Sequence, residues 1–528
     1  MDAVSRPLRQ PASSPFSRLP DDTLYAVFEL LRSWICFPGE SDDVPYDPLP
    51  ERTKKGHAAA IIARKSNLPL WTLPIVLSSV CSRWRAFAIG SPRLWSFIRI
   101  TGTFPNRMMM NAFLERSQDI PLSILLTKPA APIDRNASAP NPVYGLLALA
   151  SELADVSTRI LELGVVLPQD PARILLEALN DTPLPRLQKL WLDAGHEGSE
   201  KRFFNQLLNV NLVTVRTLHA RQFAITWMPF EGLVRLELSS GPAPTLPALL
   251  YTLKHSPQLE VLQLRVPALQ KSETVPHGQP PIELALLKEL LLSVEKSDPG
   301  AFGILPHISF SSTTEIDIHF TGRPPSCLYE NCESLRQVAA SVADASVFVD
   351  LVRGVTIESD DPVLTVDYGV KFVDSHQQFH PRLHAGLLAV PLPALAHFSL
   401  SIPLFTEDGI LHWQFGPLFS AIATVTRLTL AVHVKYTQHV ATALSTQEVV
   451  TEDGGKSMRC AALRRLTFVW CGEEPPCVDD FWLVERCCAA RAAAGVRIDT
   501  LETTVAVPEL VMGSLVRSLG SVVVLDDY

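Results

Sequence analysis

The hexapeptide LEVLQL at residues 259–264 carries the pattern that decides the fold of this chain. Leucine occupies its first, fourth and sixth positions, and the alternation at its end is typical of a short β-strand with one buried face. The same spacing of three apolar or nearly apolar residues recurs, less strictly in places, from residue 187 onward. The recurrences are Leu187/Leu190/Leu192, Leu233/Leu236/Leu238, Leu287/Leu290/Leu292, Thr313/Ile316/Ile318, Val352/Val355/Ile357, Leu395/Phe398/Leu400, Val425/Leu428/Leu430, Leu463/Leu466/Phe468 and Leu519/Val522/Val524.

In parts of the chain this spacing returns at intervals of 26 to 30 residues, the longest of them from Leu400 to Leu430, although the repeat is imperfect. From Leu238, the residues Leu264, Leu292 and Ile318 follow at steps of 26, 28 and 26 residues. The interval resembles that of leucine-rich repeats, in which units of roughly 20–29 residues each supply one strand with a helix or short turn. Because one such unit cannot bury its apolar face alone, we expect the units to stack into an irregular solenoid with a parallel sheet, an α/β fold.

The segments between the predicted strands carry helix or loop signals. Helices are predicted at 171–180 and 247–254, each begun by a proline, at 479–494 with Gly495 closing it, and at 507–518. The stretches 128–142, 267–282 and 441–460 are expected to be loops that project from the repeats. Trp191, Glu237 and Gln263, which stand between repeat leucines, are expected on the face that a solenoid offers to a ligand.

Residues 19–100 carry short amphipathic segments instead of repeats. Leu24 and Phe28 lie on one face of a predicted helix that also includes Val27 and Leu31, and Pro20 suits its first turn. Residues 38–57, rich in proline and charge, predict a loop insertion. A second helical segment is predicted within 68–89, a short strand at 94–98, and a linking helix around residues 108–110.

The N-terminal module resembles the F-box. The resemblance rests on the leucine–proline opening at 19–20, the VCSRWR segment at 80–85 and the SPRLW segment at 91–95. It is similar in layout to the expanded F-box families of mushroom-forming basidiomycete fungi. The resemblance implies a Skp-type adaptor as partner, and through it a cullin–RING ligase. The adaptor-binding residues that it implies are Leu19, Pro20, Leu24, Phe28, Leu31, Val80, Cys81, Trp84 and Leu94.

The two halves of this F-box-like module are far apart in the sequence, with about 50 residues between Leu31 and Val80. Closing so long a loop costs only about 0.6 kcal/mol for each doubling of its length, so both halves are able to pack together. The domain boundaries that follow are a flexible tail at 1–17, an F-box at 18–100 with an insertion at about 37–68, and an irregular repeat domain for substrate recognition at 101–528.

A physical argument for a partner surface stands beside the resemblance. Three short helices bury too little apolar surface to hide Leu19, Pro20, Leu24, Phe28 and Trp84 together. Some of these side chains should remain exposed, and exposed apolar patches mark sites where partners bind. Trp95, in contrast, is expected in the core.

The composition is that of a globular protein, with 47% hydrophobic and 19% charged residues among 528. The net charge of −9 and the absence of a sustained basic stripe in the sequence argue against a nucleic-acid partner. The sequence shows no secretory apolar region and no apolar run near the roughly 20 residues that a membrane helix needs. We therefore expect an intracellular protein, cytoplasmic or nuclear, with its nine cysteines reduced.

No catalytic, cofactor-binding or metal-binding residues are predicted, because the sequence holds no phosphate-binding loop, dinucleotide fingerprint or nucleophile elbow. His376, His380 and His384 have helical spacing, but Pro381 interrupts them. Cys327 and Cys332 lack paired zinc spacing, and a buried role is expected for Cys487 and Cys488. The expected function is a non-enzymatic substrate-recruiting subunit of a ubiquitin ligase, with an unknown protein substrate. A leucine-rich scaffold without ligase association, or an enzyme within 100–528, remain the alternatives.

Overall fold

The computed structural model describes most of the chain between residues 73 and 525 and a short piece near the N-terminus. The described residues are 20–24, 26, 73–101, 107–127, 142–180, 182–194, 214–222, 230–239, 244–265, 280–294, 300–320, 332–350, 354–360, 363–368, 392–402, 415–449, 456–471 and 475–525. The expected tail at 1–17 and the insertion at 37–68 lie outside these residues. So do the loop predicted at 128–142, except its last residue, and most of the loop predicted at 267–282.

The helical segment predicted within 68–89 is divided into two helices, α1 (Leu73–Val80) and α2 (Ser82–Ile89). The break lies at Cys81, whose backbone is extended with φ −159° and whose Sγ accepts a hydrogen bond from the Trp84 amide at 3.5 Å. Cys81 therefore caps the second helix at its N-terminus. A 3-10 turn at Pro92–Trp95 follows, so the strand predicted at 94–98 instead runs over Phe97–Thr101 as β1.

The chain divides into two compact units, Met1–Thr217 and Leu218–Tyr528. In the first unit, β1 pairs in parallel with β2 (Leu122–Thr127), β2 with β3 (Ile160–Val166), and β3 with β4 (Lys189–Asp193). Its other helices are α3 (Arg107–Arg116), α4 (Pro142–Asp155) and α5 (Gln169–Ala178). The helices predicted at 108–110 and 171–180 are confirmed. The core row of this sheet consists of the in-register residues Ile98, Ile124, Leu163 and Leu190, all buried.

The second unit contains a larger sheet. Its strands are β6 (Arg235–Ser239), β7 (Val261–Arg265), β9 (Glu289–Val294), β11 (Glu315–Phe320), β12 (Asp344–Asp350), β13 (Gly354–Asp360), β14 (Val363–Tyr368), β15 (His397–Ile402), β16 (Arg427–His433), β19 (Arg465–Cys471), β20 (Thr500–Thr503) and β21 (Ser521–Val524). Pairing follows the order β6-β7-β9-β11-β14-β13-β12-β15-β16-β19-β20-β21. All of these pairs are parallel except β12 with β13 and β13 with β14. Strand β5 (Thr217–Arg221) begins at the last residue of the first unit.

Helices and two small sheets accompany these strands. The helices of the second unit are α6 (Leu246–Lys254), α7 (Glu333–Ser341), α8 (Phe415–Ala421), α9 (Thr437–Ser445), α10 (Val478–Ala493) and α11 (Glu509–Ser518). The helices predicted at 247–254, 479–494 and 507–518 are thus confirmed within two residues, and Gly495 has the positive φ of +79° expected after a helix end. The small sheets pair β8 (Ile282–Leu284) with β10 (Ile308–Phe310), and β17 (Gln447–Val449) with β18 (Lys456–Met458).

The hydrogen bonds that lead into the strands repeat together with the sequence pattern. In several units, the residue that follows the first apolar residue of the three-residue pattern has a carbonyl that accepts two hydrogen bonds. The donors are two successive backbone amides of the next unit. Val234 O accepts from Glu260 and Val261, and Thr426 O accepts from Arg464 and Arg465. The same pair of hydrogen bonds is accepted by four more carbonyls, those of Ala343, Ala396, Arg464 and Asp499. The chain is therefore α/β with a large parallel sheet, as predicted, and its connections are compatible with a strand–helix repeat.

Two predictions about single segments need correction. The strand predicted at Val352/Val355/Ile357 is present from Gly354 onward as β13, the antiparallel middle strand of β12, β13 and β14, while Val352 lies outside the described residues. The stretch 441–460 is not simply a projecting loop, because it contains the end of α9 and then the β17–β18 hairpin. Val440, Ala441 and Leu444 are buried, so apolar packing holds the start of this stretch as helix.

Candidate functional site

Two parts of the molecule carry candidate functional residues. The first is the N-terminal helical module, defined as residues 20–24 and 26 with α1, α2 and the turn to Trp95. The second is the polar face of the large sheet, defined as the strand residues in the second unit that alternate with the buried leucine rows.

Within the N-terminal helical module, an ion pair joins the two halves of the F-box-like sequence. Arg83 Nη2 on α2 donates a hydrogen bond to Asp21 Oδ1 at 2.6 Å, across 62 residues of sequence. Residues 21–24 are helical, and Leu24 in that turn is fully buried. Because Asp21 is 70% exposed and Arg83 37% exposed, the pair itself contributes only about 0–1 kcal/mol. Its significance is that it places the first helical turn beside α2.

The residues that the resemblance implies for adaptor binding fall into three groups. Pro20 and Val80 are exposed, Val80 to 53%, while Cys81 and Trp84 are half-buried. Leu24 and Leu94 are buried, so they support this surface from within. Leu19, Phe28 and Leu31 lie outside the described residues.

The module also exposes apolar side chains that sequence reasoning missed. Ile75 on α1 is 40% exposed and Ile89 at the end of α2 is 42% exposed. The sequence shows that both residues are apolar and lie in a helical segment. Whether they are buried or exposed depends on the break between α1 and α2 at Cys81, which only the structure shows. Together with Val80, they are exposed apolar side chains on the surface of α1 and α2.

Trp95 is a core residue, as predicted. Its Nε1 donates to Ala88 O at 2.7 Å, and its ring meets Phe113 edge-on at 5.0 Å between centroids. The Arg116 guanidinium lies 4.3 Å from the centroid of the indole. Trp95 therefore anchors the end of α2 to α3 and is not available to a partner.

On the polar face of the second unit, two in-register rows cross the strands from β12 to β21. The first row is Asp344, His397, Arg427, Arg465, Thr500 and Ser521. The second row is Ser346, Ser399, Thr429, Thr467, Glu502 and Val523. A row that includes two arginines therefore lies next to a row made mostly of small hydroxyl residues on the same face.

Glu502 lies between two arginines of the first row. Its Oε1 is 3.5 Å from Arg465 Nε, and its Oε2 is 3.9 Å from Arg427 Nη2. Thr467 Oγ1 donates to Glu502 Oε2 at 2.7 Å. The Glu502 side chain is only 12% exposed, whereas those of Arg427 and Arg465 are 43% and 47% exposed. The Glu502 carboxylate is thus largely buried and held by Thr467, whereas the two arginine side chains are partly exposed to solvent.

His397 is beside this group. Its Nε2 lies 3.2 Å from Thr429 Oγ1, and its Nδ1 lies 3.7 Å from Asp344 Oδ1. Burial, followed by the charge of Arg427, lowers the pKa of His397 from its ordinary value, although Asp344 and Glu502 oppose the shift. The imidazole is therefore neutral at physiological pH.

A second ionic group lies at the start of the same sheet. His219 Nδ1 lies 2.6 Å from Glu237 Oε2, and Arg235 Nε bonds the other carboxylate oxygen. Burial alone raises the pKa of Glu237, but the hydrogen bonds and charges of His219 and Arg235 outweigh it and hold the pKa below its ordinary value. Gln263, predicted together with Glu237 for this face, donates to Glu289 Oε1 at 2.6 Å.

Four of the described cysteines are buried: Cys332, Cys460, Cys487 and Cys488. Cys487 and Cys488 are buried on α10, as predicted, and burial raises the pKa of the Cys487 thiol to about 12. Among the described residues, no group of three or more histidine, cysteine or acidic side chains is placed to hold a metal ion. Cys327, His376, His380 and His384 lie outside those residues.

Comparisons with known proteins add no family. No protein-family model matches the chain, and no curated protein sequence matches it significantly. Within the described residues, none of the helices combines the length and apolar character needed to span a bilayer.

Proposed function

We propose that the chain is a substrate-recruiting subunit of a Skp–cullin–F-box type ubiquitin ligase. The N-terminal helical module binds a Skp-type adaptor, which links the chain to a cullin–RING ligase, and irregular leucine-rich repeats bind a protein target. The chain itself does no chemistry in this proposal. It raises the effective concentration of the target beside the ubiquitin-loaded enzyme.

The observation that carries the proposal is the Arg83–Asp21 hydrogen bond at 2.6 Å. The F-box resemblance depends on two sequence segments acting as one helical unit although a long insertion separates them. A charge-assisted contact between the first helical turn and α2, together with the full burial of Leu24, supports such a unit. The exposed Pro20 and Val80 then supply the partner surface.

Co-elution with a purified fungal Skp-type adaptor tests the adaptor half of the proposal. The intact chain should co-elute in size-exclusion chromatography, and changing Leu19 and Pro20 to alanine should abolish the complex. Leu510→Ala is the matched control, since Leu510 is 80% exposed on α11, far along the chain.

The scaffold alternative predicts a different result. An intact chain that binds no adaptor but retains other proteins in affinity purification would replace the ligase proposal by that alternative. Co-elution that is unaffected by the Leu19 and Pro20 changes would overturn the assignment of the adaptor surface.

A further inference from the structure

We propose that Arg427 and Arg465 form a binding site for a single carboxylate of an extended peptide, supplied by an aspartate or glutamate side chain. The site lies on the polar face at β16 and β19, with Glu502 and Thr467 as its supporting residues. The inference deepens the proposed function, because this peptide would be part of the target protein, and it rests on that function for the origin of the peptide.

The first argument is the unused hydrogen-bonding capacity of the two guanidinium groups. Each arginine carries five N–H donors. Neither guanidinium group donates a hydrogen bond to any residue that the structure describes, and the Nε of Arg427 is buried without an acceptor. Their neighbours behave differently. Arg464 donates to Arg497 O at 3.1 Å, and Arg497 donates to Ser518 O at 3.2 Å.

The second argument is charge. Arg427 and Arg465 share one carboxylate, that of Glu502, so the three groups together carry a formal charge of +1. At the start of the sheet, in contrast, Arg235 bonds the carboxylate of Glu237 directly and shares it with no second arginine. One added carboxylate balances the charge, whereas a phosphate dianion exceeds it.

The surroundings favour one acid and no more. His397 is neutral and lies next to Arg427 in the row, and Asp344 follows at the exposed end, 3.7 Å from His397. A second acid on the ligand, placed toward β12, would meet the negative charge of Asp344. Specificity for one carboxylate therefore follows from repulsion as well as attraction.

The third argument is the shape of the site. Arg427 and Arg465 are in register on adjacent parallel strands, which brings their Cα atoms to about 4.8 Å from each other. Thr429 and Thr467, two residues further along the same strands, are buried, whereas the side chains of Arg427 and Arg465 are 43% and 47% exposed. A row of side chains on a pleated sheet suits an extended peptide better than a small molecule, which needs a cavity that encloses it.

Selection from a random dodecapeptide phage library tests the proposal on the full chain. The intact chain should enrich peptides that carry one aspartate or glutamate. The double variant R427Q/R465Q should lose this enrichment and bind the best peptide at least tenfold more weakly. The matched control R235Q, an arginine on the same face with its own carboxylate, should keep the enrichment.

A second variant separates the proposal from simple misfolding. E502Q preserves an acceptor for Thr467 but leaves two uncompensated arginines, so it should select peptides with more acids than the intact chain does. Acid frequencies at the library background, or equal in the intact chain and R427Q/R465Q, would overturn the site, and so would an E502Q selection unchanged from the intact one.

Synthetic versions of the best peptide distinguish the kind of anion. Changing its acid to asparagine should abolish binding, and changing it to phosphoserine should not tighten binding. Phosphoserine binding more than tenfold tighter would overturn the carboxylate assignment in favour of a phosphopeptide. R427Q/R465Q should still co-elute with the adaptor. Absence of peptide selection by an intact chain that still binds the adaptor therefore defeats this inference, and absence of adaptor binding by an intact chain that still selects peptides defeats only the proposed function.

Discussion

Replacing Arg491 with methionine should destabilise the second unit by about 3–5 kcal/mol, although the change removes a buried charge. Arg491 on α10 is fully buried. Its Nη1 donates to Leu444 O at 3.0 Å and Arg459 O at 2.7 Å, and its Nη2 donates to Cys460 O at 2.6 Å. The side chain therefore satisfies carbonyls at the end of α9 and in the turn after β18.

The magnitude follows from two opposing effects. Three hydrogen bonds from a charged donor contribute roughly 1.5–3 kcal/mol each, and their loss takes the guanidinium donor from all three carbonyls, of which Cys460 O keeps the Leu463 amide at 2.9 Å. Removal of the guanidinium relieves a desolvation cost of several kcal/mol. Burial raises the pKa of Cys460 and Cys487 to about 12, so these neighbouring thiols are not thiolates that neutralise Arg491. We therefore expect the loss of the hydrogen bonds to the carbonyls to outweigh the relief of desolvation, so that the variant is less stable than the intact chain.

Denaturant unfolding followed by far-UV circular dichroism measures the effect. Arg486→Met is the matched control, because Arg486 is exposed on the same helix and its loss should change stability by no more than about 0.5 kcal/mol. The Arg491 variant should unfold at a clearly lower denaturant concentration. A midpoint equal to that of the control would refute the reasoning that the three carbonyls need the guanidinium.

Three further predictions concern local chemistry. Iodoacetamide at pH 8 should label exposed Cys477 in the native chain and leave Cys487 unlabelled, as mass spectrometry can show, because burial raises the pKa of Cys487 to about 12. The pKa of His397 is lower in the folded chain than its unfolded value of 6.5, so its stabilising contribution should be lost as the pH falls from 6.5 toward the folded pKa. The melting temperature of His397→Gln should therefore fall less between pH 7 and pH 5 than that of the intact chain. Thr245→Ala should destabilise by about 1 kcal/mol in denaturant unfolding, since its Oγ1 caps α6.

The strands were predictable because the spacing of three apolar residues identifies the buried face directly. The same spacing at Ile160, Leu163 and Val165 corresponds to β3, which the sequence reasoning overlooked although the signal was present. The spacing of apolar residues identifies the buried face of a strand, but it does not show whether the strand runs parallel or antiparallel to its neighbours. This is why Val352/Val355/Ile357 gave a correct strand, and why its antiparallel pairing with β12 and β14 could be found only in the structure.

The charged groups of the polar face could not be predicted. Arg427, Arg465 and Glu502 lie on three different strands, and only the register of those strands brings them within 4 Å. No local pattern in the sequence indicates that two arginines share one carboxylate. In the N-terminal helical module, Cys81 as a helix cap and the burial of Leu24 depend on tertiary packing and do not follow from the motif.

Isothermal titration of the full-length chain with a purified fungal Skp-type adaptor tests the central claim most directly. The account predicts saturable binding with one adaptor per chain, weakened at least tenfold by Val80→Glu on the exposed end of α1 and unchanged by Leu510→Glu. Folding of each variant is checked by circular dichroism. Absence of binding by the intact chain, or equal affinity of the intact chain and Val80→Glu, would contradict it.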